Sequence, residues 1–266
     1  MRVLIIGYGN MGKTYANSFI SSRFIKPEDI FVLLRSETNF FIESQIPRAN
    51  FSNSFYEIIG DFDIVILAVK PQDFDALAQT IKPFLKQNQI LFSVMAGITL
   101  NSLEEQLACS KIVRSMPNIP TQIGMGMTVF TASANVDRKE LFIIQNLINT
   151  TGKSVYVENE KLIDAATAIS GSGPAYVFYF MQSMIKAAVD LGFNESEAEL
   201  LVNQTFMGSV AIQNSYSLSN EEWIKKVASK GGTTESALQV FEKGMLQDVI
   251  VNAVKAANNR AIELGK

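Results

Sequence analysis

Two stretches of this sequence combine residue type and spacing in a way that can do chemistry, and one residue type is missing. Near the N-terminus, Gly7-Tyr8-Gly9-Asn10-Met11-Gly12 follows the apolar run Val3-Leu4-Ile5-Ile6. G-x-G-x-x-G straight after a strand and before a helix is the turn that carries a dinucleotide pyrophosphate. Gly7 permits the tight turn, Gly9 keeps side-chain bulk away from the pyrophosphate, and Gly12 lets the helix pack closely on the strand. The N–H groups and positive dipole end of the helix then face the phosphates. Such glycines also serve ordinary turns, so position decides the reading. The second stretch is Ala228-Ser229-Lys230-Gly231-Gly232-Thr233-Thr234, leading into a helix through Glu235. Backbone N–H groups and threonine hydroxyls at a helix start suit an anion such as a carboxylate, or simply a well-capped turn.

The missing type is histidine, and Cys109 is the single cysteine. Imidazole-based triads, intrachain disulfides and cysteine-rich metal sites are therefore excluded, and no metal is expected. Proton chemistry must fall to Lys, Tyr, Ser, Thr, a carboxylate or water. Cys109, without partner residues beside it, reads as a small packed side chain. The 266 residues are 47% hydrophobic and 18% charged, which is the composition of a folded protein with one large core or two modest ones. A net charge of -3 gives no electrostatic reason to expect nucleic acid or an anionic membrane surface. The apolar start is short and glycine-rich for a signal peptide, and no run reaches the ~18 apolar residues of a membrane span. A soluble cytoplasmic protein is expected.

The elements that must position these stretches follow in order. A helix is predicted over 13–20 and a second strand over 30–34, ending in Arg35-Ser36. An NAD site usually places an acid here, whereas arginine suits a 2′-phosphate, so NADPH is favoured over NADH; the plainer reading of Arg35 is a solvated cation. Ser54-Phe55-Tyr56-Glu57 has the form of a capping box opening a short helix to about Gly60. Asp63 to Val69 is an apolar strand running through Ala68-Val69 into Lys70-Pro71-Gln72. Ile90 to Val94, ending in Met95-Ala96-Gly97, and Lys111 to Arg114, ending in Ser115-Met116-Pro117-Asn118, repeat the pattern. Strand, special loop, helix, strand is the rhythm of a doubly wound parallel sheet, with ligands at the carboxyl ends of its strands. The ends at Gly7, Lys70, Gly97 and Asn118 are expected to line one crevice; Lys70 taken alone is equally an exposed strand-end lysine. Met127 to Phe130 follows a loose turn, Asp137 with Glu140 caps a helix, and Ser154 to Val157 closes the sheet.

From Glu160 onward only helices are predicted. The fold class is α/β, with a Rossmann-type domain over 1–159 and an all-helical domain over 160–266. Pro174 suits a helix start, Asn194 with Glu197 and Ser219 with Glu222 form capping boxes, and Trp223 reads as core or interface. Between Tyr176 and Val189 only Gln182, Ser183 and Lys186 are conventionally polar. A helix apolar nearly all round is buried on several sides, most simply against its own symmetry mate or else within the monomer.

Taken together, the sequence resembles the pyrroline-5-carboxylate reductases, NAD(P)H enzymes that make L-proline. The matching stretches are Gly7 to Gly12, Ala68-Val69-Lys70-Pro71-Gln72, Ala96-Gly97-Ile98, Arg114 with Met116-Pro117-Asn118, Gly171-Ser172-Gly173-Pro174-Ala175-Tyr176, and Gly231-Gly232-Thr233-Thr234. The resemblance implies a helical domain that dimerises, often assembles further, and binds an imino acid near Gly231 to Thr234. It implies cofactor contacts from Gly7, Gly9, Asn10, Met11, Gly12, Arg35, Ser36, Ala68, Val69, Lys70, Pro71, Ala96, Gly97 and Asn118, and adds Asn53 near the ribose. On this basis the substrate carboxylate is assigned to the N–H groups of Gly231, Gly232 and Thr233, with Ser229 nearby, and the ring nitrogen to the Thr234 hydroxyl. Lys230 stands where the family usually has proline, and Ile119 where it usually has threonine. Some relatives of the reductase sit in bacterial competence operons, so a regulatory role on the same scaffold is an alternative. A β-hydroxyacid dehydrogenase, which uses a lysine for proton transfer, is another.

Overall fold

A computed structural model describes residues 1–36 and 44–265. The chain divides into two compact units, Met1–Ser172 joined by the chain's end from Ala257, and Gly173–Ala256.

Among the described residues the first unit is built on eight strands: β1 Val3–Ile6, β2 Ile30–Leu33, β3 Phe51–Ser52, β4 Ile64–Leu67, β5 Ile90–Ser93, β6 Ile112–Met116, β7 Gly126–Ala132 and β8 Gly152–Tyr156. Their order is β3-β2-β1-β4-β5-β6-β7-β8. Every pairing is parallel except β6 with β7. This is the doubly wound sheet expected from the sequence, carried on by an antiparallel strand and one more. β1 and β4 are buried along their whole length because helices cover both faces, which is why they read as unbroken apolar runs. On one face the helices α1 Asn10–Ser21 and α4 Arg138–Asn149 cover a core containing Ile5, Phe19, Ile66, Phe92 and Ile144. On the other, α2 Phe74–Ile81 and α3 Leu100–Leu107 cover Leu4, Val65, Phe74, Leu91 and Leu103. Cys109 is buried in that second core, and burial raises its thiol pKa, so it packs as a small apolar group.

The predicted box at Ser54 does not form. Ser54 makes no side-chain cap, and the segment Phe55–Asp61 is a 3-10 helix. The Ser52 hydroxyl instead accepts the Ser54 N–H at 3.0 Å and meets the Ser54 hydroxyl at 3.0 Å. A local side-chain bond has displaced the cap. The box at Asp137 and Glu140 forms with both reciprocal bonds.

After β8, α5 Lys161–Ala166 runs into a π turn, Thr167–Gly171, whose Ser172 N–H donates to the Thr167 carbonyl at 2.8 Å. A Cβ on Gly171 would stand 2.7 Å from Met116 Cε, so the glycine lets this turn press on the end of β6.

The second unit is helical throughout. It holds α6 Gly173–Asp190, α7 Glu195–Ser215, α8 Asn220–Val227, α9 Thr233–Lys243 and most of α10 Leu246–Leu264. The predicted boxes at Asn194 with Glu197 and Ser219 with Glu222 are both formed. Only Ala198 and Val202 are buried among its residues. On α6 Phe178 is 60% and Tyr179 72% exposed, on α7 Leu200 and Met207 are exposed, and Val249 and Ile250 are exposed on α10. Trp223, half-buried, meets Tyr216 edge to face. Among the described residues no helix is long and apolar enough to cross a membrane.

Candidate active site

The first site is built where β1 hands over to α1. Gly7 has φ +94°, and a Cβ there would lie 2.6 Å from the Ala68 carbonyl oxygen. A Cβ on Gly12 would lie 2.1 Å from the Gly7 carbonyl oxygen. These two positions therefore admit only glycine while the turn keeps its shape. Gly9, the N-cap of α1, has nothing within 4 Å of a built Cβ and supplies no side-chain cap. The first intrahelical bond there runs from Lys13 N–H to the Gly9 carbonyl. The N–H groups of Asn10, Met11 and Gly12 thus precede any helical acceptor, at the positive end of a twelve-residue helix. Gly12→Ala is expected to push α1 off the turn, costing about 1–3 kcal/mol of stability and at least ~10-fold in dinucleotide affinity. Thermal melting and cofactor titration check both, and an unchanged affinity would contradict the close-approach argument.

The turn opens on a cavity of about 490 Å³ lined by Gly7, Gly9, Leu34, Arg35, Tyr56, Ala68, Val69, Lys70 and Asp73, with Ala76, Leu77 and Thr80 along one wall. Arg35 and Lys70 are both exposed cations. The Arg35 guanidinium lies 3.2 Å from the Asp73 carboxylate. A glycine turn with uncapped N–H groups, a recess beside it and an arginine just past β2 fit the phosphates and adenosine end of a dinucleotide.

Not every predicted residue faces this cavity. Ser36, Asn53 and Pro71 are exposed beside it without lining it. Asn53 directly follows Ser52, which pairs with Leu33 at the end of β2. Met11 points toward Thr121, whose hydroxyl lies 3.9 Å from its thioether, and Asn10 lines a separate recess with Thr121 and Thr150.

Ala96, Gly97 and Asn118 also stand apart from the cavity, because β5 and β6 lie one and two strands beyond β4, about 5 and 10 Å away. Ala96 is exposed. Gly97, at φ +77°, sits against the end of α10, where a Cβ would come 3.0 Å from the Leu264 carbonyl oxygen. The Asn118 carboxamide is committed to the backbone: its Nδ2 donates to the Ser170 carbonyl at 3.1 Å and its Oδ1 accepts the Met127 N–H at 2.8 Å. It ties β6, β7 and the π turn together, leaving backbone rather than side chain for any ligand.

The structure also supplies residues that the sequence reading passed over. Asp73, Ala76, Leu77 and Thr80 are spaced i, i+3, i+4, i+7, the signature of one helix face. Behind Asn118, Arg114 is 2% exposed in its side chain and bridges Glu160 at 2.8 Å and Asp164 at 2.7 Å, fastening β6 to the start of α5. Arg114 was legible as part of a matching stretch, but its two partners, some fifty residues on, carried no signal.

The second site is the loop before α9. Gly231 has φ +73°, and Gly232 is the N-cap of α9 without a side-chain bond. Two of the three backbone donors assigned to a carboxylate already have acceptors here. Gly231 N–H donates to Glu235 Oε2 at 2.6 Å, and Gly232 N–H donates to the Ser229 carbonyl at 3.0 Å. The Thr233, Thr234 and Glu235 N–H groups precede the first intrahelical bond, from Ser236 N–H to the Gly232 carbonyl. A Cβ on Gly232 would stand 2.6 Å from the Ser229 hydroxyl oxygen, so Ser229 packs directly on the loop. Ser229, Lys230 and Thr233 are exposed and Thr234 is half-buried.

Residues 160–264 match the family model for pyrroline-5-carboxylate reductase dimerisation, and residues 2–97 match one described as NADP oxidoreductase, coenzyme F420-dependent. The chain is 31% identical to a pyrroline-5-carboxylate reductase of Staphylococcus haemolyticus, over 100% of this chain and 98% of that one. Among solved structures it is similar to the Coxiella burnetii pyrroline-5-carboxylate reductase, with a TM-score of 0.91 and 32% identity over 100% of this chain and 98% of that one. It is likewise similar to the Plasmodium falciparum pyrroline carboxylate reductase solved with NADP bound, with a TM-score of 0.89 and 31% identity at the same coverage. Identity above 30% along nearly the whole of both chains, joined to the match of residues 160–264 to the dimerisation model, settles kinship: the chain belongs to the pyrroline-5-carboxylate reductase family.

Proposed function

We propose that this chain is an NADPH-dependent pyrroline-5-carboxylate reductase, reducing the C=N bond of 1-pyrroline-5-carboxylate to give L-proline in the cytoplasm. The observation that carries the reading is the uncapped start of α1 beside a cavity holding Arg35 and Lys70, in a chain similar over its full length to reductases of that name. The nicotinamide cofactor, when bound, supplies the hydride; NADH can serve in its place. The chain's own residues bind and orient. Asn10, Met11 and Gly12 N–H groups take the pyrophosphate, and Arg35 with neighbouring Ser36 takes a 2′-phosphate. Asn53, directly after the last residue of β3, would contact the ribose. The ends of β4, β5 and β6, at Ala68 to Pro71, Ala96-Gly97 and Asn118, would hold the rest of the dinucleotide.

A cyclic imine can arrive already protonated, so its reduction does not require a strong general acid. A chain with no histidine is suited to that task. The N–H groups at the start of α9 and the loop Ser229 to Thr233 hold the substrate carboxylate, and the Thr234 hydroxyl orients the ring nitrogen. Orientation of this kind supplies several kcal/mol of the barrier. Purified protein with NADPH and pyrroline-5-carboxylate tests the proposal directly. Oxidation of NADPH with formation of proline is the expected result; dinucleotide binding with no turnover would favour a regulatory role on the same scaffold.

The working form is a homodimer or a higher homo-oligomer. Its support is the exposure of many apolar side chains in Gly173–Ala256, a unit with two buried residues, together with the dimerisation family model. Apolar surface on that scale is covered by a partner in folded proteins. Light scattering should give at least twice the 29.4 kDa chain mass. Tyr179→Glu, which places a charge on the apolar face of α6, should dissociate the assembly, and a wild-type monomer at micromolar concentration would refute it.

A further inference from the structure

Among the described residues lining the cavity beside the glycine turn, one has a charge of the wrong sign for a phosphate. Asp73 closes the short turn Pro71–Asp73 after β4, and Arg35 follows the end of β2. β2 and β4 flank β1 on either side, so the 3.2 Å pair of Arg35 Nη1 with Asp73 Oδ1 links the two loops that border the Gly7–Gly9 turn. Among the described residues, three charged side chains line the cavity: Arg35, Lys70 and Asp73. The carboxylate thus neutralises one of two cations, and the cation it engages is the one placed to receive a 2′-phosphate.

The pair is weak enough to be exchanged. Its side chains are 85% and 40% exposed, and a solvated ion pair contributes little. A phosphomonoester carries about -1.5 to -2 charge near neutral pH and competes well for the guanidinium. It must still displace Asp73 from Arg35 and then remain near that carboxylate. A ribose lacking the phosphate meets neither requirement.

Resting on the assignment of NADPH to this cavity, we propose that Asp73 is a cofactor-specificity residue: by holding Arg35 it weakens the binding of 2′-phosphorylated dinucleotides selectively and narrows discrimination between NADPH and NADH. The Asp73 N–H donates to the Lys70 carbonyl at 2.9 Å whatever the side chain, so the turn does not depend on the carboxylate.

Asp73→Asn keeps the size of the side chain and removes its charge. Dissociation constants for NADPH, NADH and 2′,5′-ADP, measured by fluorescence or calorimetric titration at low ionic strength, read the effect without catalysis. NADPH and 2′,5′-ADP should bind about three- to tenfold more tightly to Asp73→Asn, with NADH changed less than about twofold. The gain should shrink at 1 M salt, where the screening length is about 3 Å, and should fall markedly when Arg35 is already alanine, because only the repulsion by the carboxylate then remains to be relieved. Wild-type protein that binds NADPH with a constant unaltered by Asp73→Asn overturns the role of Asp73 and leaves the cofactor reading intact. A selective loss of NADH affinity also overturns it, by making Asp73 a ribose ligand. Wild-type protein that binds neither dinucleotide overturns the cofactor reading and this inference with it.

Discussion

Replacing Arg114 by leucine should lower the stability of the folded protein by about 3–5 kcal/mol, because it strips the partner from two carboxylates at the base of α5. The guanidinium is enclosed between β6 and α5, where it donates to Glu160 and to Asp164. Glu160 Oε1 also accepts the Leu100 N–H at 2.7 Å, so the same carboxylate anchors the start of α3. The loss should fall toward the lower end of that range, since the Glu160 and Asp164 side chains retain 29% and 21% of their exposure and water can rehydrate them in part. Arg114→Lys should recover only part of the difference, because an ammonium cannot serve two carboxylates with separate, fixed N–H groups. Neutralising all three positions together, as Arg114→Met with Glu160→Gln and Asp164→Asn, should restore most of it. Urea denaturation at a fixed protomer concentration measures each variant, the concentration being held because an oligomer's apparent stability depends on it. A midpoint for Arg114→Leu equal to that of the wild type would show that the cluster contributes nothing.

Thr234→Ala should lower turnover by roughly one to three powers of ten, on the order of 1.4–4 kcal/mol of transition-state stabilisation. Its hydroxyl makes no hydrogen bond among the described residues, and α9 is capped by the Gly232 backbone, so removal should leave melting unchanged. NADPH affinity should also be preserved, because Thr234 is not among the residues lining the cofactor cavity. Thr234→Ser retains the hydroxyl and should stay within about tenfold of the wild type. This combination separates an orienting hydroxyl from a structural one: a structural threonine would change the melting temperature, and the serine variant would not rescue it. Unchanged turnover in Thr234→Ala would remove Thr234 from the mechanism.

The sequence alone determined the features that depend on neighbours along the chain. An apolar run meeting three glycines announces a strand, a tight turn and a helix, because the positive φ of Gly7 and the close approach of Gly12 to the Gly7 carbonyl arise within a few residues, whereas the contact of Gly7 with the Ala68 carbonyl does not. Capping boxes at Asp137, Asn194 and Ser219 were legible for the same reason, since both reciprocal bonds lie within one turn. The one at Ser54 failed because a competing hydroxyl at Ser52, outside the box, took the backbone donor. The apolar girth of the helix at Tyr176 showed that it needs a partner without showing which.

Tertiary structure decided whatever depends on the lateral order of strands and on side chains distant in sequence. Gly7, Lys70, Gly97 and Asn118 all sit at the carboxyl ends of strands, as expected. The order β2-β1-β4-β5-β6, however, spreads them across the sheet, so Gly7 and Lys70 share a cavity from which Gly97 and Asn118 stand apart. Arg35 read as a phosphate ligand or a solvated cation, and no local pattern pairs it with Asp73, 38 residues away. Hydrogen bonds consumed inside the fold were equally hidden: the Asn118 carboxamide is taken up by Ser170 and Met127, and the Gly231 N–H by Glu235. Spacing along a chain fixes which chemical groups a loop can offer; the fold decides which of those groups are already occupied by its own atoms and which remain to meet a ligand.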